Sequence, residues 1–395
     1  MWYSSTGLVE SMHNMIRHMS VRGYREYIRS GPRGSSVGRA LVSYLAYPLI
    51  LPKRWRETAQ FSNRGIAQEI PRVLNELGYV VDIIDCSVAP RLSRHYDVFI
   101  GHGGQTYRQI SDQLDPETTR IYFSTGASWR FANVAEGRRL LDIAERHGSL
   151  LPPERNPLNE DAAYADSRTI VCLGDAFTRE TYGDLKEKVI CINNAAFPVQ
   201  ALPSQSSKSS GAAKRFLFFA GGGNVHKGLD LLLEAIAGTP YELFVCQHIQ
   251  RDFGRVFSHW LEDLPNVHVM GHVPQRSREF LDLVGACSWC VLPTCSEGQP
   301  GGIVECMAHG LIPILSRESG MGLCDLGLTI PELSVLGVRF SLDAAASMDP
   351  DQISTLSDRS ARLTAVDFSP TSFRSSFKRA VAAALRSEPI DVDGA

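Results

Sequence analysis

The feature that most restricts the fold is a repeated pair: a short, unbroken apolar stretch followed by a segment of helical periodicity. Ala40 to Tyr47, Tyr79 to Ile84, Tyr96 to Ile100, Thr119 to Phe123, Thr169 to Leu173 and Val189 to Ile192 read as strands. Arg215 to Ala220, Glu242 to Val245, Val267 to Met270, Trp289 to Leu292 and Ile312 to Leu315 continue the series. Near-continuous apolar strands separated by helices predict a parallel sheet buried on both faces. Asn63 to Leu77 shows the helical half of the pair, with Ile66, Ile70, Val73 and Leu74 on one face and Gly78 as its stop. Pro71 inside that run predicts a kink or a later start.

Residues 203–214, PSQSSKSSGAAK, interrupt the alternation with small polar residues of no period, which reads as a linker. At roughly 100–200 residues per domain, a chain of 395 residues accommodates two. The expected organisation is an amino-terminal arm (1–38), an amino-terminal Rossmann-like domain (39–202), the linker (203–214), a carboxy-terminal Rossmann-like domain (215–370), and a terminal helix with its tail (371–395). The fold class is therefore α/β, two doubly wound domains facing a cleft. In such sheets ligands lie beyond the carboxyl ends of the strands.

The charge balance, 40 basic against 43 acidic residues for a net −3, argues against a nucleic-acid partner. The arm differs from the body: Arg17, Arg22, Arg25, Arg29 and Arg33 oppose only Glu10 and Glu26. Residues 7–29 place Leu8, Met12, Met15, Ile16, Met19 and Tyr27 near helical spacing. A basic amphipathic helix is expected there, either packed on the body or in peripheral contact with an anionic membrane surface. The longest apolar run, Ala40 to Pro52, is shorter than the roughly 20 residues that a membrane-spanning helix needs. It also lies too far into the chain for a secretory signal. Nine cysteines show no disulfide spacing, and Cys287-Ser-Trp-Cys290 falls where an apolar helix meets an apolar strand, so both read as core thiols. This suits a cytoplasmic protein, with the inner face of the membrane as the site of any peripheral contact.

Two segments carry the chemistry. In FLFFAGGGNVHKGLDLLLEA the strand runs into Gly221, Gly222 and Gly223, and a helix begins near Gly228. Glycines let a ligand approach the backbone, free amides at a helix start favour an anion, and Lys227 adds charge at that start. In PTCSEGQPGGIVECMAHGLIPILS a loop after the strand contains Glu297, and a helix opening on Gly301 and Gly302 contains Glu305. A carboxylate in that position can accept hydrogen bonds from paired hydroxyls, as acidic residues do for ribose.

Together these segments resemble the nucleotide-sugar domain of GT-B glycosyltransferases, most closely family 4, a retaining group. The E-x7-E motif of that family matches Glu297 to Glu305, and its phosphate-binding lysine matches Lys227. YADSRTIVCLGDAFTRETY, from Tyr164 to Tyr182, is similar to the family's strand and helix near the interdomain cleft; Thr178 is expected to cap or start that helix. Asn193 and Asn194 are expected to form the turn out of the last strand. The resemblance covers roughly residues 39–385, strongly in the second half. It implies a nucleotide-diphosphate sugar as donor substrate, retention at the anomeric carbon, a glycan, lipid-linked or small-molecule acceptor, and no bound metal or cofactor. It further implies that Glu305 binds the donor's ribose, Glu297 faces the sugar hydroxyls, and Lys227 with the glycine loop neutralises the diphosphate.

Two departures stand out. Many members carry an arginine five residues before the lysine, where this chain has Gly222, leaving backbone amides or His226 to substitute. The family's amino-terminal domain often places a histidine near the reacting sugar, and the segment Ser124 to Ser128 has none; His102, in IGHGG, is the nearest candidate. Three readings therefore compete: a retaining glycosyltransferase, another GT-B enzyme such as a phosphorylase or epimerase, and a catalytically weak protein that binds nucleotide or scaffolds a partner.

Overall fold

The computed structural model describes residues 28–32, 34–51, 62–196, 211–322 and 326–386. Two sheets organise it. The first contains β1 (Ile28–Ser30), β2 (Gly38–Tyr44), β3 (Tyr79–Asp85), β4 (Val98–Gly101), β5 (Thr119–Ser124), β6 (Thr169–Leu173) and β7 (Val189–Ile192), in the order β1-β3-β2-β4-β5-β6-β7. All its pairings are parallel except β1 with β3. The second contains β8 (Arg215–Phe219), β9 (Glu242–Cys246), β10 (Val267–Val269), β11 (Trp289–Leu292), β12 (Ile312–Leu315) and β13 (Leu328–Thr329). Its order is β10-β9-β8-β11-β12-β13, parallel throughout.

The unbroken apolar strands have the cause expected of them. On one face of the first sheet, Val42, Ile83, Ile100, Phe123 and Val171 pack against the helix Ser62–Glu76 and the terminal helix Pro370–Arg386. On the other face, Leu41, Phe99, Tyr122 and Ile170 pack against Tyr107 and Tyr164 of the helices Gly104–Ser111 and Asp161–Asp166. Neighbours in sequence thus point into different cores, which keeps the strands mostly apolar; Asp82 in β3 is fully buried as well, and is held by Arg29, Arg39 and Tyr96. The terminal helix follows the second domain in the chain yet inserts Phe373 and Phe377 into the core of the first. Conversely, the helix Trp129–His147 contributes Leu140 and Ile143 to the core of the second. Each domain lends the other one helix.

Several expectations need correction. Ile28 and Arg29 lie in β1 and not in a helix; the rest of the proposed amphipathic segment lies outside the described residues, as do 203–210 of the linker. Tyr47 opens a short helix, Tyr47–Ile50, with Pro48 in its first turn, so β2 ends before it. The helix Ser62–Glu76 continues through Pro71. Gly78, at φ +92°, stops it in the left-handed region. Cys287 and Cys290 are fully buried, as core thiols should be. Among the described residues no helix is long and apolar enough to cross a membrane.

Candidate donor site at the meeting of the two sheets

The carboxyl ends of both sheets converge on residues 296–300. An added Cβ on Gly298 would stand 2.2 Å from the Cα of Gly126, after β5, and 2.4 Å from the carbonyl oxygen of Leu173, at the end of β6. No side chain fits between them. Gln299 completes the junction from a left-handed backbone at φ +58°. Its side-chain oxygen accepts from the Asn194 amide at 2.7 Å, and its Nε2 donates to Asn193 Oδ1 at 2.8 Å and to the Gly174 carbonyl at 3.3 Å. Asn194 Nδ2 returns a bond to the Gln299 carbonyl at 2.7 Å. Asn193 and Asn194 do follow the last strand, but their side chains join the two domains. Thr178, expected at the helix cap, is its third residue; Asp175 is the cap, and the two form a reciprocal capping box.

The first motif folds as a tight loop. Gly221 and Gly222 are exposed, Gly223 sits at φ +96°, and Asn224 to Lys227 are buried. Gly228 has φ +75°, and a Cβ there would lie 2.0 Å from the Pro293 carbonyl oxygen, so glycine is required twice over. The helix Leu229–Ile236 then begins. Cys295 N and Thr294 Oγ1 both donate to the His226 carbonyl, at 2.9 and 3.0 Å. These bonds fasten the first motif to the second.

That fastening brings the two singled-out charges together: the Lys227 ammonium donates to Glu297 Oε1. Both side chains are nearly withdrawn from solvent, 7% and 12% exposed. Burial, with the charge of Arg155 nearby, pushes the Lys227 pKa well below its ordinary value, and the carboxylate beside it works to hold the proton in place. His226 donates from Nε2 to the Ser296 carbonyl at 2.5 Å. Burial lowers its pKa to about 3, helped by Lys227 and Arg155, so the ring is neutral and faces protein. It brings no charge to an anion.

The helix Gly301–Ala308 starts against the other motif, since a Cβ on Gly302 would lie 2.8 Å from the Phe219 carbonyl oxygen at the end of β8. Glu305, in its second turn, is buried and receives Arg276 Nε at 2.7 Å and Nη2 at 3.4 Å. Arg276 adopts φ +65° to make this approach. Sequence reading missed it, because its partner is supplied only by the folded chain. His102 lies immediately after β4, on the sheet edge facing the second domain. Its Nδ1 donates to the Phe123 carbonyl at 2.9 Å, with Tyr44 edge-on at 5.4 Å. Among the described residues, no group of three or more His, Cys, Asp or Glu side chains is placed to hold a metal ion.

The fold has counterparts among solved structures. Sucrose-phosphate synthase from Thermosynechococcus elongatus aligns over 91% of this chain and 100% of its own, at 13% identity and a TM-score of 0.58. Anabaena HepE in complex with UDP-glucose aligns over 88% and 100%, at 11% identity and a TM-score of 0.57. The chain has the GT-B fold. The catalytic domain of starch synthase IV from Arabidopsis thaliana, bound to ADP and acarbose, aligns over 74% of each chain at 14% identity and a TM-score of 0.53. Identities this low establish the GT-B architecture alone. No family model matches the sequence, and no curated protein matches it.

Proposed function

We propose that the protein is a retaining glycosyltransferase of the family 4 type, moving a sugar from a nucleotide-diphosphate donor to a glycan, lipid-linked or small-molecule acceptor. The observation that carries this reading is the convergence of two glycine-rich helix starts on one buried Lys227–Glu297 pair, at the carboxyl ends of both sheets. Neighbours of the same fold support it, since HepE was solved with UDP-glucose and starch synthase IV with ADP.

In this reading the amides of Gly221, Gly222 and Gly223, with those at Gly301 and Gly302, receive the diphosphate. Lys227 stabilises the charge that grows on the leaving phosphate as the glycosidic bond breaks, which is the main term such a site must supply. Glu305 accepts from the ribose hydroxyls while Arg276 orients its carboxylate. Glu297 accepts from hydroxyls of the donor sugar, and its bond to Lys227 fixes both groups before the donor arrives. His226 shapes the loop, and His102 approaches the sugar from the first domain. A cytoplasmic enzyme with a lipid-linked acceptor would work at the inner membrane face, and the basic arm fits that placement.

The test is a transfer assay. Nucleoside diphosphate release should depend on acceptor, and proton NMR of the first-formed product should show the donor's anomeric configuration kept. Inverted product would remove the retaining assignment, and hydrolysis or release without an acceptor dependence would remove transfer.

A further inference from the structure

Resting on the donor-site reading above, we propose that Arg155, carried by the amino-terminal domain, supplies the second cation for the donor's diphosphate, so that the bound donor spans both domains. The observation is a contact between domains. The Arg155 stem lies over Gly223, and an added Cβ on that glycine would meet its Cγ at 2.8 Å and its Cδ at 3.4 Å. The glycine loop of the second domain is thus roofed by an arginine of the first.

The backbone holding Arg155 is fixed on both sides. Its amide donates to both oxygens of the Glu136 carboxylate, at 3.1 and 3.2 Å, and Glu136 is itself buried. The preceding residue, Glu154, accepts the Asn224 amide at 2.5 Å, which ties it to the residue after Gly223. Its guanidinium, in contrast, is exposed, and among the described residues no carboxylate or carbonyl accepts from it. A positioned arginine with unused donors is suited to a phosphate, which it can grip with two parallel hydrogen bonds.

Charge balance points the same way. Lys227 is neutralised by Glu297, and His226 is uncharged. An anion entering over Gly221 and Gly222 therefore meets, in the Arg155 guanidinium, a cation that no carboxylate among the described residues engages. Its influence already reaches the loop, lowering the proton affinity of both Lys227 and His226. The absent arginine at Gly222 is replaced from across the domain junction rather than by a neighbour in sequence.

Titration calorimetry with ADP, UDP and GDP as probes tests this on the full chain. Arg155→Met keeps the stem over Gly223 and removes only the charge. The diphosphate bound best by the parent protein should bind Arg155→Met at least tenfold more weakly, and Arg155→Lys should recover part of the loss. Binding by Arg155→Met within twofold of the parent overturns the proposal. If that occurs while Lys227→Met loses binding, the donor site stands and only the Arg155 assignment falls. If the parent binds none of the three, the donor-site reading falls with it.

Discussion

Lys227 and Glu297, 70 positions apart in sequence, form a buried ion pair that locks the first glycine-rich motif to the second. The two residues with the strongest claim to chemistry are therefore also structural to one another. Removing either leaves a charge in a poorly solvated place, which costs more than the pair contributes.

Lys227→Met is accordingly expected to act twice. Transfer should fall about 10²-fold or more from lost charge stabilisation. Stability should fall by up to about 3 kcal/mol from the orphaned Glu297. The double variant Lys227→Met/Glu297→Gln should regain much of the stability and none of the activity. Urea melts beside rate assays separate the two effects, and a single variant as stable as the parent would contradict the ion pair's role.

The strand series was legible because the inner strands of both sheets are buried on both faces and are therefore mostly apolar. β1 escaped notice for the opposite reason: a three-residue edge strand containing Arg29, it pairs on one side only. The helix Trp129–His147 was hidden because its buried face includes Glu136 and Arg139, which interrupt any apolar stripe. Arg139 bonds Asp230 of the other domain, and Glu136 holds Arg155. Lys227, Glu297 and Glu305 could be picked out by motif; Arg155, Arg276 and Gln299 could not, since their partners are distant in sequence.

Gly298→Ala should disturb the domain junction without unfolding either domain. The new methyl would sit 2.2 Å from the Gly126 Cα, so the carboxyl edges must separate. Circular dichroism should stay close to the parent's while donor affinity drops at least tenfold. Parent-like affinity would show that the junction tolerates opening.

Gln299→Ala removes three bonds of its side chain, among them the one from the buried Asn194 amide, and leaves the bond from Asn194 Nδ2 to its backbone carbonyl. A loss of about 2–3 kcal/mol in chemical denaturation is expected, from unpaired polar groups left inside. A change below about 0.5 kcal/mol would contradict the bonding described.

His226 makes the fold acid-sensitive. Its folded pKa, near 3, lies below the ordinary 6.5, so between those values the unfolded chain binds a proton that the native ring refuses. Stability should fall as pH drops from about 6.5 towards 3, by up to about 1.4 kcal/mol per unit from this group. His226→Gln keeps a donor for the Ser296 carbonyl and should flatten that slope. An unchanged slope would return the sensitivity to other groups.

For the first domain, His102→Ala should lower the transfer rate while calorimetry shows donor affinity within a few-fold of the parent. An unchanged rate would make His102 a structural partner of Phe123 and Tyr44 only.

The central claim is that the two glycine-rich helix starts form a nucleotide-sugar site. A thermal-shift series with UDP-, GDP-, ADP- and dTDP-glucose addresses it most directly, alongside Lys227→Met. One of these donors at about 100 times its dissociation constant should stabilise the parent by about 2.7 kcal/mol and leave the variant nearly unmoved. Equal shifts in parent and variant, or no shift from any of the four at millimolar concentration, would contradict the site.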